Sequence, residues 1–127
     1  MTEVLVPVSV GELVDKITIL RIKRRMIKDA AKVANVEAEL TALLAVCKER
    51  SIDAEAPLAR ELEAINLKLW QIEDDIRDKE RAKQFDARFV ELARAVYVTN
   101  DERFVVKSKI NAAFGSKFKE EKSYQAY

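Results

Sequence analysis

Between Ser9 and Gly115 the chain contains one glycine, Gly11, and one proline, Pro57. A sheet needs frequent turns, and tight turns draw on glycine, proline and asparagine to reach their backbone angles. A stretch this long with so few breakers has to be carried by helices. The rest of the composition agrees: 35% of residues are charged and 49% hydrophobic, a mixture rich in helix formers. A length of 127 residues is enough to close one hydrophobic core and too short for two, so a single domain over 1–127 is expected.

Local signals divide this stretch. Residues 4 to 8, Val-Leu-Val-Pro-Val, favour an extended conformation and predict an extended arm over residues 1–8. Ser9-Val10-Gly11-Glu12 has the form of a capping box and starts a first helix running to about Ile27. Asp29 can cap a second helix, whose Val33, Val36, Leu40, Leu43, Leu44 and Cys47 share a face and which ends near Arg50. Pro57 suits the first turn of a third, reaching about Lys83, with a seam of Leu58, Leu62, Ile65, Leu69, Ile72 and Ile76. Phe85 and Asp86 supply a staple and a cap for a fourth. Thr99-Asn100-Asp101-Glu102 repeats the capping-box pattern and predicts a break there, with a fifth helix stopping at Gly115. The expectation is an all-α, five-helix, bundle-like domain with a short extended N-terminal arm and a charged tail, Ser116 to Tyr127, either docked or disordered.

Composition also removes functions. The chain has no histidine, which excludes imidazole bases, catalytic triads and His-containing zinc sites. Two isolated glycines cannot build a phosphate-binding glycine loop. Lys plus Arg is 23 and Asp plus Glu 22, so no net charge draws the molecule to nucleic acid or anionic lipid. Arg21, Arg24, Arg25 and Lys28 do share one side of the first helix. Basic residues near a helix C-terminus complement its dipole, however, and no aromatic is interleaved for stacking on bases. Nucleic acid and membrane are therefore not expected partners, nor is a cofactor. Cys47, the one cysteine, reads as a small core residue. With no secretory pattern at the N-terminus, a cytoplasmic location is expected.

The informative polar residues border the apolar seams. Glu12, Lys16 and Lys23 project between two apolar patches of the first helix, and Asn66, Glu73, Arg77 and Glu80 line the third helix's seam. Lys16 and Lys23 are seven apart, as are Glu73 and Glu80, so two matched ion pairs could join parallel first and third helices. Arg103 and Lys107 flank Val106 and Ile110 on the predicted fifth helix. The resulting strip of charge has two readings. In one, interhelical salt bridges set register in a non-catalytic interaction or scaffold protein. In the other, Lys16, Lys23, Asn66, Glu73, Arg77, Glu80, Arg103 and Lys107 form a cleft between helices 1, 3 and 5 that binds, or acts on, a small anionic metabolite. A metal site of Glu73, Asp74, Asp78 and Glu80 is not expected, because Asp74 and Asp78 point away from Glu73 and Glu80. Leu67 and Trp70 lie opposite the main seam and are candidates for the interface of a homodimer.

Gly-Glu-Leu-Val-Asp-Lys-Ile-Thr-Ile-Leu (11 to 20), Leu-Trp-Gln-Ile-Glu-Asp-Asp-Ile-Arg (69 to 77), Asn-Asp-Glu-Arg (100 to 103) and Glu-Glu-Lys-Ser-Tyr (120 to 124) together resemble a family of small helical bacterial and phage proteins of unknown function. The resemblance spans nearly the whole chain and implies a helical fold without implying any activity, so whether the chain is an enzyme stays open.

Overall fold

The computed structural model describes residues 2–127 and contains four helices: α1 (Val10–Met26), α2 (Ala30–Glu49), α3 (Pro57–Arg81) and α4 (Ala87–Ala113). Helix α4 runs antiparallel to α1 and to α3, since Gly11 meets Asn111 and Asp15 meets Arg103, while Lys68 meets Glu102 and Asp75 meets Arg88. The centre is α1, which packs against all three others, while α2 touches no helix but α1, and α3 pairs closely with α4. The core has two clusters, one on each side of α1, joined by Ile52, which packs against both. On the first side Leu13, Ile17 and Leu20 meet Val36, Leu40 and Cys47 of α2. On the other, Val14 meets Ala59 and Leu62 of α3 with Val106 and Ile110 of α4. Because α1 is buried on both sides, even its polar residues Asp15 and Thr18 are almost completely enclosed.

The helix starts follow their capping residues. Ser9 accepts a hydrogen bond from the Glu12 amide, Asp29 from those of Ala31 and Lys32, and Asp86 from that of Phe89. These contacts satisfy amides that a helix start leaves unpaired, and each is typically worth about 1 kcal/mol. Pro57 opens α3, where its missing N–H costs nothing. Phe85 packs edge-on against Phe89 across the start of α4. The ends of α2, α3 and α4 share one device. In each, the residue after the cap adopts positive φ, and paired backbone hydrogen bonds close back onto the last turn. Gly115 fills that position after α4 at no steric cost, whereas Ser51 and Lys83 fill it after α2 and α3 despite their side chains.

Five helices were expected and four are present. The difference lies at Thr99, where a break was anticipated and α4 runs straight through. A break would leave amides and carbonyls of two helix ends without partners on a face where Thr99 is 1% exposed. Continuous helix satisfies them all. The capping pattern is put to other use: Asp101 accepts a hydrogen bond from Tyr127, and Glu102 pairs with Lys68.

Residues 2 to 8 lie outside any helix or strand, with Val4, Leu5 and Val6 more than two-thirds exposed. The segment from Ser116 onward lies along α4. Ser116 Oγ accepts from the Val10 amide, Glu120 reaches Lys107, and the Tyr127 ring packs on Tyr97. No helix among the described residues is long and apolar enough to cross a membrane.

Candidate functional site

Gly11 sets the approach of α4 to α1. Its amide donates to Asn111 Oδ1 at 2.6 Å, and a Cβ at this position would lie 2.7 Å from the Lys107 carbonyl oxygen. Only a residue without a side chain lets the two backbones come this close. One and two turns further along the same face of α1 come Asp15 and Thr18, which the close approach buries.

A buried carboxylate needs partners, since charge removed from water is costly unless compensated. Asp15 finds them on two helices. Arg103 of α4 donates through Nε to Oδ1 at 2.9 Å and through Nη2 to Oδ2, a forked grip. Asn66 of α3 donates through Nδ2 to Asp15 Oδ1 at 2.8 Å and to Thr18 Oγ1 at 2.9 Å, while Thr18 donates to the Asp15 carbonyl. Lys107 lies 3.8 Å from Asp15 and pairs with Glu12 at 2.8 Å and Glu120 at 3.1 Å. Burial alone would lower the Lys107 pKa. The hydrogen bonds to Glu12 and Glu120 and the charge of Asp15 outweigh it, so the ammonium is held above its ordinary value. The hydrogen bond to Asp15 likewise raises the pKa of Arg103.

This network forms one end of a cleft of about 410 Å³ between α1, α3 and α4. Ile19, Ile22, Leu69 and Trp70 supply apolar wall, and Asn66, Asn100, Arg103, Glu73, Asp74 and Arg77 the polar groups. Two of these are fixed by the network and still have capacity left. Among the described residues, neither Arg103 Nη1 nor Asn66 Oδ1 has a hydrogen-bond partner. Arg77 and Glu73 pair with each other at 3.2 Å, an exposed contact that costs little to open.

Of the residues anticipated as ligand-binding, Asn66, Glu73, Arg77 and Arg103 line this cleft. The others lie elsewhere. Lys107 sits behind Arg103 on the tail side of α4, while Lys16 faces α2 and pairs with Glu39. Lys23 is half-buried without an ion pair among the described residues, and Glu80 pairs with Lys83. The matched pairs Lys16 with Glu73 and Lys23 with Glu80 are not formed. Although α1 and α3 do run parallel, the lysines lie on flanks of α1 turned away from the border of the α3 seam. Asp78 pairs with Arg81, and no group of three acidic or cysteine side chains among the described residues is placed to hold a metal. Arg21 and Arg24 are engaged with Glu55, Glu63 and Glu37. Leu67 and Trp70 are half-buried, and Cys47 is enclosed in the α1–α2 core with its thiol pKa raised by burial.

Sequence reasoning missed Asp15 and Thr18 as the centre of the network and Asn100 as part of the cleft. A signal was present for the first two. Gly11, Asp15, Thr18 and Ile22 follow one another at steps of four, three and four, a stripe that begins with the helix's only glycine. For Asn100 the capping pattern pointed away from the cleft.

A family model described as a family of unknown function (DUF6165) matches residues 4–127. Neither a curated protein nor a solved structure matches the chain.

Proposed function

Since the chain belongs to DUF6165, a family of unknown function, we propose from its geometry that it is a ligand-binding protein, and that the α1–α3–α4 cleft takes a small molecule with one carboxylate and an apolar body. The observation that carries this reading is the state of Arg103. Its guanidinium is held by the fully buried Asp15, and one terminal nitrogen has no partner among the described residues, on a side chain that lines the cleft. A donor immobilised in advance loses little entropy when a ligand arrives.

The remaining groups define the ligand. Arg103 Nη1 and the Asn100 amide suit a carboxylate, while the Asn66 side-chain carbonyl suits a donor elsewhere on the molecule. Trp70, Leu69, Ile19 and Ile22 suit an apolar or flat body. Glu73 and Asp74 balance Arg77 and Arg103, and Asp15 stands behind them. A neutral or slightly acidic lining of this kind disfavours polyanions such as nucleotides and narrows the anionic-metabolite expectation to a singly charged or zwitterionic compound. The volume lies within the range of small-molecule pockets. This reading assigns Trp70 to a ligand and not to a second copy of the chain, and it is preferred over the scaffold reading because a scaffold has no use for donors left free in a cleft.

Trp70 is the only tryptophan, so intrinsic fluorescence reports on the cleft directly. Titration with monocarboxylates, hydroxy acids and amino acids should give a saturable fluorescence change with a rise in melting temperature for at least one class. Asn100→Ala and Arg103→Lys should each weaken that binding about tenfold, because each removes one carboxylate contact. Absence of any response from the three classes at about 10 mM would sink the proposal.

A further inference from the structure

A second pocket, of about 500 Å³, lies on the outer side of α4 between that helix and the C-terminal segment. It shares only Asn100 with the cleft, so it stands apart from the proposal above. Tyr97, Asp101 and Phe104 enter it from one face of α4, and Lys122, Tyr124 and Tyr127 from the segment that follows. Four of its lining residues are aromatic and one is acidic.

The rings are arranged for a cation, and one is already there. Lys122 Nζ lies 5.4 Å from the Phe104 ring centroid and 5.7 Å from that of Tyr124, within the distance at which ring quadrupoles attract positive charge. The adjoining pair, Tyr97 and Tyr127, meets edge to face with centroids 5.1 Å apart. Asp101 anchors this pair by accepting from the Tyr127 hydroxyl through Oδ2 at 2.6 Å, and its Oδ1 has no hydrogen-bond partner among the described residues. Lys122 makes no ion pair among the described residues, so only ring contacts and solvent hold it in place. A flexible ammonium held in this way is readily exchanged. Once it swings out, four aromatic residues and an uncompensated carboxylate remain.

We propose that this pocket is a binding site for a quaternary or methylated ammonium group, for which the Lys122 ammonium is the chain's own stand-in. Such a cation suits the pocket better than lysine does, because it sheds water more easily and offers methyl groups to the rings. Asp101 adds the charge complement.

The test uses the full chain, titrated with choline, with tetramethylammonium and with 3,3-dimethylbutan-1-ol, the neutral shape-match of choline. Ring-proton NMR signals of Phe104 and Tyr124 serve as the readout. Choline and tetramethylammonium should give saturable shifts, and the neutral alcohol should bind about tenfold more weakly. Lys122→Ala removes the internal competitor and should tighten choline binding about threefold, whereas Tyr124→Ala should weaken it by a similar factor. Lys122 and Tyr124 are exposed, so both variants should melt with the parent protein. Sedimentation on phosphatidylcholine vesicles, lost in Tyr124→Ala, would identify the cation as a lipid headgroup. Choline binding without sedimentation would identify a soluble ligand, and either result upholds the site. Equal binding of choline and the neutral alcohol, no tightening in Lys122→Ala, or no saturable shift in that variant would each overturn it.

Discussion

The carboxylate of Asp15 in α1, 1% exposed, holds the guanidinium of Arg103 in α4 from 88 residues away in the chain. One contact thus closes the fold and orients a cleft donor. Asp15→Asn keeps the shape and removes the charge, leaving Arg103 without its counter-ion. Breaking a buried pair on one side costs about 3 kcal/mol, and urea unfolding should show a loss of that order. The variant should also bind the cleft ligand more weakly, because Arg103 is no longer held in one orientation. A loss below about 0.5 kcal/mol would mean that the pair contributes no more than a surface contact.

Lys107 gives the network a pH limit. Its folded pKa is raised above the ordinary 10.5, so its contribution to stability is complete below that value and is lost as pH rises through the folded value. Melting temperature measured from pH 9 to 12 should fall more steeply for the parent protein than for Lys107→Met. Parallel slopes would contradict the assignment.

Gly11→Ala tests the close approach of α1 and α4. Alanine favours helix by up to about 1 kcal/mol over glycine, but here its Cβ would meet the Lys107 carbonyl at 2.7 Å. Because a backbone carbonyl cannot yield without moving α4, a net loss of about 2 kcal/mol is expected by denaturant titration. Gly115→Ala has open space around it and is opposed only by its φ of 63°, with an expected cost of about 1 kcal/mol.

Thr99 offers a change in the other direction. Its hydroxyl is buried and has no hydrogen-bond partner among the described residues. Thr99→Val replaces it with a methyl group of similar size, and the protein should gain about 1 kcal/mol in urea unfolding. A loss of that size would show that the hydroxyl is satisfied in solution, for example by a bound water.

Ser51 and Lys83 hold the left-handed position that Gly115 holds at the end of α4. Ser51→Gly relieves side-chain crowding there and should raise stability by about 0.5 to 1 kcal/mol, read as a higher melting temperature.

Ser9, Asp29, Pro57, Asp86 and Gly115 mark helix boundaries in the sequence as they do in the structure, because a cap depends on atoms within four residues of itself. The all-helical class was legible for the same reason, in a chain almost without breakers. Thr99 carries the same local signal and does not cap. There the cost of breaking a helix at a buried point outweighs one side-chain hydrogen bond, and burial is not a local property. The candidate site divides along the same line. That Asn66, Glu73, Arg77 and Arg103 flank apolar seams could be read from spacing alone. That Lys16 turns to Glu39 in α2, and that Asp15 stands at the centre, depends on how each helix is rotated about its axis. The close packing at Gly11 and the two core clusters on either side of α1 set that rotation. Pattern determined which residues share a helix face in this protein. Only the packing of one helix on another decided which faces meet, since it sums contacts between residues up to about a hundred positions apart.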